Sequence, residues 1–184
     1  MNIQSAVKEA TIVLKNNYIK TAELDTEILL AETLGLSREY IILNNHKNLD
    51  KIKLDHFKKL IKERANRKPI AYLLNKKDFW DSEFYVNKNA LIPRPDTEVV
   101  IEEILRLTKY KTKFNILDIG VGSGCILLSI LRERKDFYGT GIDISKKSLD
   151  ISKINARNLN VEQRIKFYKS DIDNFSKGKY DLII

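Results

Sequence analysis

The clearest chemistry in the sequence is offered by Asp118-Ile119-Gly120-Val121-Gly122-Ser123-Gly124. Glycines at alternate positions let the backbone turn tightly and let a ligand approach main-chain amides. Taken alone, such a loop can equally be no more than a tight turn. Its context is more informative. Asp143 lies 19 positions beyond Gly124, and a carboxylate about 20 residues past such a loop, at the next strand end, can accept both hydroxyls of a ribose. The Asp143-Ile144-Ser145 turn also precedes a helix, so Asp143 can serve as an N-cap, and the two roles can coexist. Asp171 follows a third apolar run at the same expected sheet edge. It can accept a hydrogen bond from an adenine amino group, or cap its own loop.

The details of the loop bear on which nucleoside it takes. A dinucleotide fingerprint places glycine at the sixth position, which here is Cys125, and a pyrophosphate wants an open, amide-rich helix start. Asp118 is a poor neighbour for phosphate and a good one for a cation or an ammonium group. The cofactor that joins an adenosine to a sulfonium and an amino acid is S-adenosylmethionine. Other reactive-looking residues carry little. Cys125 reads as a packing residue, His46 and His56 as surface or capping residues, and Trp80 as hairpin packing. No metal spacing and no Ser-His-Asp order stands out.

Strands and helices must alternate to bring these carboxylates to one edge. From Phe114 onward they do. Phe114–Ile119, Tyr138–Ile144, Ile165–Tyr168 and Tyr180–Ile184 read as strands, and Cys125–Leu131 and Ser148–Leu159 as the helices between them. That order predicts a parallel sheet with right-handed crossovers. The first third reads as helices. Apolar residues recur at helical spacing from Ile3 to Leu14, and from about Thr21 to Leu34, where Gly35 predicts a left-handed C-cap. Ser37 predicts the cap of a short third helix through Ile42, and Asp50 opens a fourth that ends before Pro69. Between these halves lie Phe79-Trp80, Phe84-Tyr85-Val86 and Ala90-Leu91-Ile92. Asn87-Lys88-Asn89 predicts the turn of a β-hairpin joining the last two runs. After Pro93-Arg94-Pro95, the segment Asp96-Thr97-Glu98 opens a helix expected to bury Val99, Val100, Ile101, Ile104 and Leu105.

Composition excludes several classes. The 184 residues are 43% apolar and 32% charged, an ordinary globular balance and not that of a disordered chain. No run approaches the ~18 apolar residues of a membrane span. Met1 to Lys15 has no apolar core behind a basic start, so no signal peptide is expected. The single Cys125 excludes an intramolecular disulfide and fits a reducing compartment, so the expected address is cytoplasmic. Thirty-three basic against twenty-five acidic residues leave +8. Such a balance suits nucleic acid or an acidic partner. The excess, however, is lysine spread along the whole chain. Its densest stretch, Lys58 to Lys68, reads as the wet face of one helix.

The residues also carry a family resemblance. Asp118 to Gly124 with Asp143 and Asp171 resembles a class I, Rossmann-like methyltransferase. Asp25-Thr26-Glu27-Ile28-Leu29-Leu30-Ala31 and Leu34-Gly35-Leu36-Ser37-Arg38 resemble the helical domain of the HemK/PrmC family. Pro69-Ile70-Ala71-Tyr72, Phe79-Trp80, Phe84-Tyr85-Val86 and Leu91-Ile92-Pro93-Arg94-Pro95-Asp96-Thr97-Glu98 are similar to that family's linker hairpin and Pro-Arg-Pro segment. The Pro-Arg-Pro segment is the most specific of these. The resemblance implies an α/β architecture in three parts: a helical substrate-recognition domain over 1–75, a β-hairpin linker over 76–96, and a partial methyltransferase domain over 97–184. It implies S-adenosylmethionine as cofactor and methylation of a glutamine side-chain amide in peptide chain release factors. By the same resemblance, Asp118, Gly120, Gly122 and Gly124 would lie near the methionine part, Asp143 the ribose and Asp171 the adenine. Arg94, Pro95, Thr97 and Glu98 would shape the substrate-pocket wall, and the helical domain would meet the release factor.

The family places an Asn-Pro-Pro-Tyr motif just after its fourth strand. Its asparagine oxygen and a proline carbonyl accept the two amide protons of the glutamine, without a metal. This chain ends Tyr180-Asp181-Leu182-Ile183-Ile184, where that motif would begin. The expectation is therefore a fragment without catalytic residues of its own, with catalysis under a hundredth of the intact rate and weak cofactor binding. Two rivals stand beside this reading. One is a nucleic-acid methyltransferase acting on an exocyclic amine, disfavoured by the helical domain and the Pro-Arg-Pro match. The other is a non-catalytic binding module.

Overall fold

The computed structural model describes residues 1–184, which divide into two compact units, Met1–Leu74 and Asn75–Ile184. The first unit is helical: α1 (Ile3–Asn16), α2 (Ala22–Leu34), α3 (Arg38–Leu43), α4 (Lys51–Ala65) and α5 (Ile70–Leu74). The local signals at Ser37 and Asp50 act as expected: each accepts a hydrogen bond from a first-turn amide, at Tyr40 and Lys53, satisfying donors that have no partner within the helix. Asn2, which the sequence reading did not single out, caps α1 in the same way through the Ser5 amide. Gly35 ends α2 at φ +67°, a conformation that costs a Cβ-bearing residue about 1–2 kcal/mol. The apolar stripes of α1, α2 and α4 meet in one core around Leu14, Leu29, Leu30, Ile41 and Phe57. Within it sits a nearly buried ion pair: the Arg64 Nε donates to Asp25 Oδ2 at 2.7 Å, and the Thr21 hydroxyl donates to the same oxygen at 2.9 Å. Helix α5 was not foreseen. Pro69 accepts at its carbonyl from the Tyr72 and Leu73 amides, so the residue expected to stop α4 also starts α5.

The second unit opens with an antiparallel hairpin, β1 (Lys76–Phe79) and β2 (Ser82–Tyr85), in the register Phe79↔Ser82. This corrects the sequence-based hairpin. The reversal is at Trp80-Asp81, and Ala90–Ile92 forms no strand. Trp80 takes φ +52°, unfavourable for a bulky residue, and side chains hold it there. Its backbone amide donates to Glu98 Oε1 and its indole N–H to Glu133 Oε1, both at 2.9 Å, while the Arg132 guanidinium donates to the Asp81 carbonyl at 2.6 Å. Such a turn has no composition signal because its restraints come from about 20 and 50 residues away in the chain. Asn87-Lys88-Asn89 is a turn, as expected. Its Asn87 carbonyl accepts from Ala90, but it leads into an irregular segment.

Beyond the hairpin, a single 3₁₀ turn at Pro95–Thr97 enters α6 (Glu98–Leu107). The helix buries Ile101 and Ile104, whereas Val99 and Val100 are exposed, correcting the expectation for those two valines. Consecutive residues are separated by 100° around the axis, so one face cannot hold all five apolar positions. A parallel sheet follows: β3 (Asn115–Ile119), β4 (Tyr138–Asp143), β5 (Ile165–Lys169) and β6 (Leu182–Ile183), in spatial order β5-β4-β3-β6. Helices α7 (Cys125–Glu133) and α8 (Lys146–Asn158) make the crossovers. The order reverses at β3, where the chain steps from β5 across to β6. In open α/β sheets the crevice at the carboxyl ends of the strands on either side of such a switch receives ligands. No helix is long and apolar enough to cross a membrane.

Candidate functional site

The glycine loop runs from the end of β3 into α7. Gly120, Gly122 and Gly124 have φ of +79°, +57° and +81°, so all three need the left-handed region. They differ in what surrounds them. A Cβ on Gly120 would meet nothing within 4 Å, and one on Gly122 only the Gly120 carbonyl at 3.7 Å, whereas one on Gly124 would lie 2.7 Å from Leu128 Cδ1. Gly124 therefore lets α7 begin in close packing, while Gly120 and Gly122 keep a space open in front of the backbone.

That space is a cavity of about 310 Å³, bounded on one side by Asp118, Gly120, Val121, Gly122, Ser123, Cys125 and Ile126 and on the other by Leu91, Ile92, Pro93, Arg94 and Thr97. The loop thus faces the Pro-Arg-Pro segment across a gap. Asp118 is buried at 5% exposure, and its carboxyl is pushed up to about 7, first by burial and then by the charge of Asp143, with the Leu127 backbone N–H pulling partly the other way. A buried carboxylate beside a second one is a site where a positive group is welcome. Burial likewise pushes the Cys125 thiol up, so this cysteine behaves as wall and not as a nucleophile.

Asp143, at the end of β4, accepts from the Gly122 amide through Oδ2 at 3.1 Å and from the Ser145 amide through Oδ1 at 2.7 Å. It pins the glycine loop and shapes the entry to α8, whose cap is Ser145. Each carboxylate oxygen still has capacity for a further donor. Asp171 lies exposed on the loop after β5, and its carboxylate is held by the Asn174 amide and side chain at 2.7–2.9 Å. The loop-capping role is thus realised, and Asp171, like Asp143 and Gly124, is not among the cavity-lining residues. Of the Pro-Arg-Pro segment, Arg94 and Thr97 line the cavity and Pro95 and Glu98 do not. Glu98 is occupied in holding the hairpin turn at Trp80.

Sequence reasoning missed the residues that hold both walls. Asn155 is fully buried. It accepts from the Tyr85 amide at 2.7 Å and donates to the Tyr85 carbonyl at 3.0 Å and the Ser123 carbonyl at 2.9 Å. The available signal was a polar stripe, Ser148, Ser152 and Asn155, on an otherwise apolar helix face.

Residues 5–74 match the model of the PrmC N-terminal domain, and residues 110–184 match that of a methyltransferase domain. The chain belongs to the PrmC/HemK family. Among curated relatives of this PrmC/HemK chain, it is 38% identical to the release factor glutamine methyltransferase of Leptospira interrogans, covering 100% of this chain and 65% of that protein. It is 33% identical to the release factor glutamine methyltransferase of Caulobacter vibrioides, covering 93% and 60% respectively. The chain thus spans less than two thirds of the length of these relatives. A solved SAM-dependent methyltransferase from Geobacter sulfurreducens, in complex with S-adenosyl-L-homocysteine, is 26% identical over 49% of this chain and 35% of that one, with a TM-score of 0.42.

Proposed function

We propose that the whole protein is a cytoplasmic, S-adenosylmethionine-dependent methyltransferase acting on a glutamine side-chain amide of a peptide chain release factor. The observation that carries this reading is the cavity between the glycine loop and Arg94, with the buried carboxyl of Asp118 in its wall. The names of the curated relatives support the acceptor.

The residues fit that cofactor. Asp118 offers negative charge to a cationic amino-acid end. Gly120 and Gly122 leave the backbone open to close approach. Asp143 retains acceptor capacity for ribose hydroxyls, and Asp171, once turned from Asn174, for an adenine amino group. S-adenosylmethionine, when bound, supplies an electrophilic methyl on a sulfonium. An amide nitrogen is a weak nucleophile because its lone pair is delocalised into the carbonyl. The acceptor must therefore be oriented and kept from water, and Leu91 to Thr97 form the wall suited to that task. The helical unit, Met1–Leu74, is assigned to the release factor.

Labelled methyl transfer by the whole protein tests this function, with a purified release factor, bulk tRNA, rRNA and DNA as competing acceptors. Label on a glutamine side chain is expected. Label confined to nucleic acid would replace this reading with the exocyclic-amine enzyme.

A further inference from the structure

Three polar side chains of α8 are buried along one face. Ser148, Ser152 and Asn155 are 6%, 0% and 0% exposed and stand at i, i+4 and i+7, so they share a stripe. Each reaches out of the helix to backbone elsewhere. The Ser148 hydroxyl donates to the Asn89 carbonyl at 2.8 Å. The Ser152 hydroxyl donates to the Gly122 carbonyl at 2.6 Å. Asn155 holds Tyr85 through two hydrogen bonds and Ser123 through one. Gly122 and Ser123 belong to one wall of the cavity, whereas Tyr85 and Asn89 lead directly into the other, Leu91 to Thr97.

We propose that this stripe sets the spacing of the two cavity walls, with Asn155 as the central positioning residue for the bound cofactor. The geometry supports the assignment in three ways. Asn155 alone bridges both walls, spanning the hairpin exit and the glycine loop with one planar amide. Its oxygen accepts and both of its nitrogen bonds donate, so its orientation is fully specified. Leaving any of these buried backbone groups without a partner is costly enough to make the wall shift to find another. Because one helix face anchors both walls, loosening it at one wall should be felt at the other.

The inference rests on reading this cavity as the cofactor site, and amide hydrogen exchange on the 184-residue chain tests it separately from that reading. Asn155→Ala and the milder, nearly isosteric Ser152→Ala are compared with wild type, and Lys153→Ala, on the wet face of α8, serves as control. Ser152→Ala should speed exchange at least about tenfold both in residues 121–124, which it touches, and in residues 86–90, which it does not. Exchange in β3 and β4 and in Met1–Leu74 should stay unchanged. Asn155→Ala should do the same more strongly, and Lys153→Ala should do neither. Acceleration confined to the wall next to the substituted residue, or spread evenly through the unit, would overturn the proposal. Calorimetry of the whole protein with S-adenosylmethionine is the second readout. Both α8 variants should weaken binding at least about fivefold while Lys153→Ala leaves it at the wild-type level. Coupled exchange without cofactor binding by the wild type would keep the wall-spacing role and remove the cofactor reading. Unaltered affinity in both α8 variants would overturn the positioning role.

Discussion

The charge of Asp143, at the end of β4, adds to burial in pushing the carboxyl of Asp118, near the end of the adjacent β3, up to about 7. The folded chain therefore holds this proton more tightly than the unfolded chain does, whose carboxyl titrates near 3.8, the ordinary value for an aspartate. The contribution to stability is fully present below about pH 4 and is lost as pH rises through about 7. Asp118→Asn stays neutral throughout. Its stability relative to wild type should rise between about pH 5 and pH 8, by up to roughly 3 kcal/mol. Urea denaturation at the two pH values measures the difference; one that does not change with pH would place the titration elsewhere.

A bound cation should reverse this bias. Positive charge beside Asp118 favours the carboxylate, so cofactor binding at about pH 6 is expected to release a proton. Calorimetry in two buffers of unlike ionisation enthalpy measures that release. Apparent affinity should fall as pH drops below 7. Proton uptake on binding would show that Asp118 does not face the charge.

Gly120 and Gly124 share a conformation and differ in surroundings, so alanine should separate their roles. Gly120→Ala meets open space and is expected to cost only about 1–2 kcal/mol of backbone strain. The new methyl would stand at the cavity edge, and cofactor affinity should fall roughly tenfold, about 1.4 kcal/mol. Gly124→Ala drives a Cβ against fully buried Leu128 as well as straining the backbone. Its loss of stability should be the larger, about 2–4 kcal/mol. Thermal unfolding beside cofactor titration ranks the two, and equal effects on both readouts would erase the distinction.

The helical unit, the alternation of strands and helices and the glycine loop were legible because each rests on local chemistry. Caps at Ser37 and Asp50, the left-handed Gly35 and short apolar runs act within a few residues of themselves. The hairpin reversal was not legible, because Trp80 is held in place by Glu98 and Glu133 and no local turn residue marks it. Asn155 was hidden for the same reason. A buried amide inside a helix shows its meaning only when Tyr85 and Ser123, 70 and 32 positions away, are brought beside it. Asp118 was legible by type and position, but the size of its perturbation depends on burial that only the folded sheet provides.

Arg164, just before β5, closes the carboxyl end of α7. Its guanidinium donates to the carbonyls of Leu131, Arg134 and Phe137 at 2.6–3.1 Å. The Leu131 and Arg134 carbonyls belong to a helix end that leaves them without partners, Phe137 lies in the turn into β4, and a cation there also meets the negative end of the helix dipole. Arg164→Ala is expected to destabilise the second unit by about 2–3 kcal/mol. Arg164→Lys should recover only part of that, since one ammonium cannot reproduce the planar fork. Chemical denaturation of the three proteins checks the order, and full recovery by lysine would reduce the role to simple charge.

In the helical unit the ion pair of Asp25 and Arg64 joins α2 to α4, with Asp25 at 6% and Arg64 at 16% side-chain exposure. Burying such a pair is expensive, and its net worth against an apolar pair is small. Removing one member strands the other. Arg64→Ala should therefore cost about 2–4 kcal/mol, softened by the Thr21 hydroxyl that also serves Asp25. Asp25→Ala should cost less, because Arg64 is the more exposed partner and keeps the Lys68 carbonyl as an acceptor. The double variant is expected to lie close to the worse single one, giving a coupling of about 1–3 kcal/mol. Denaturation of the four proteins closes the cycle. Strict additivity would mean that the two charges stabilise the unit independently and that their contact contributes nothing of its own.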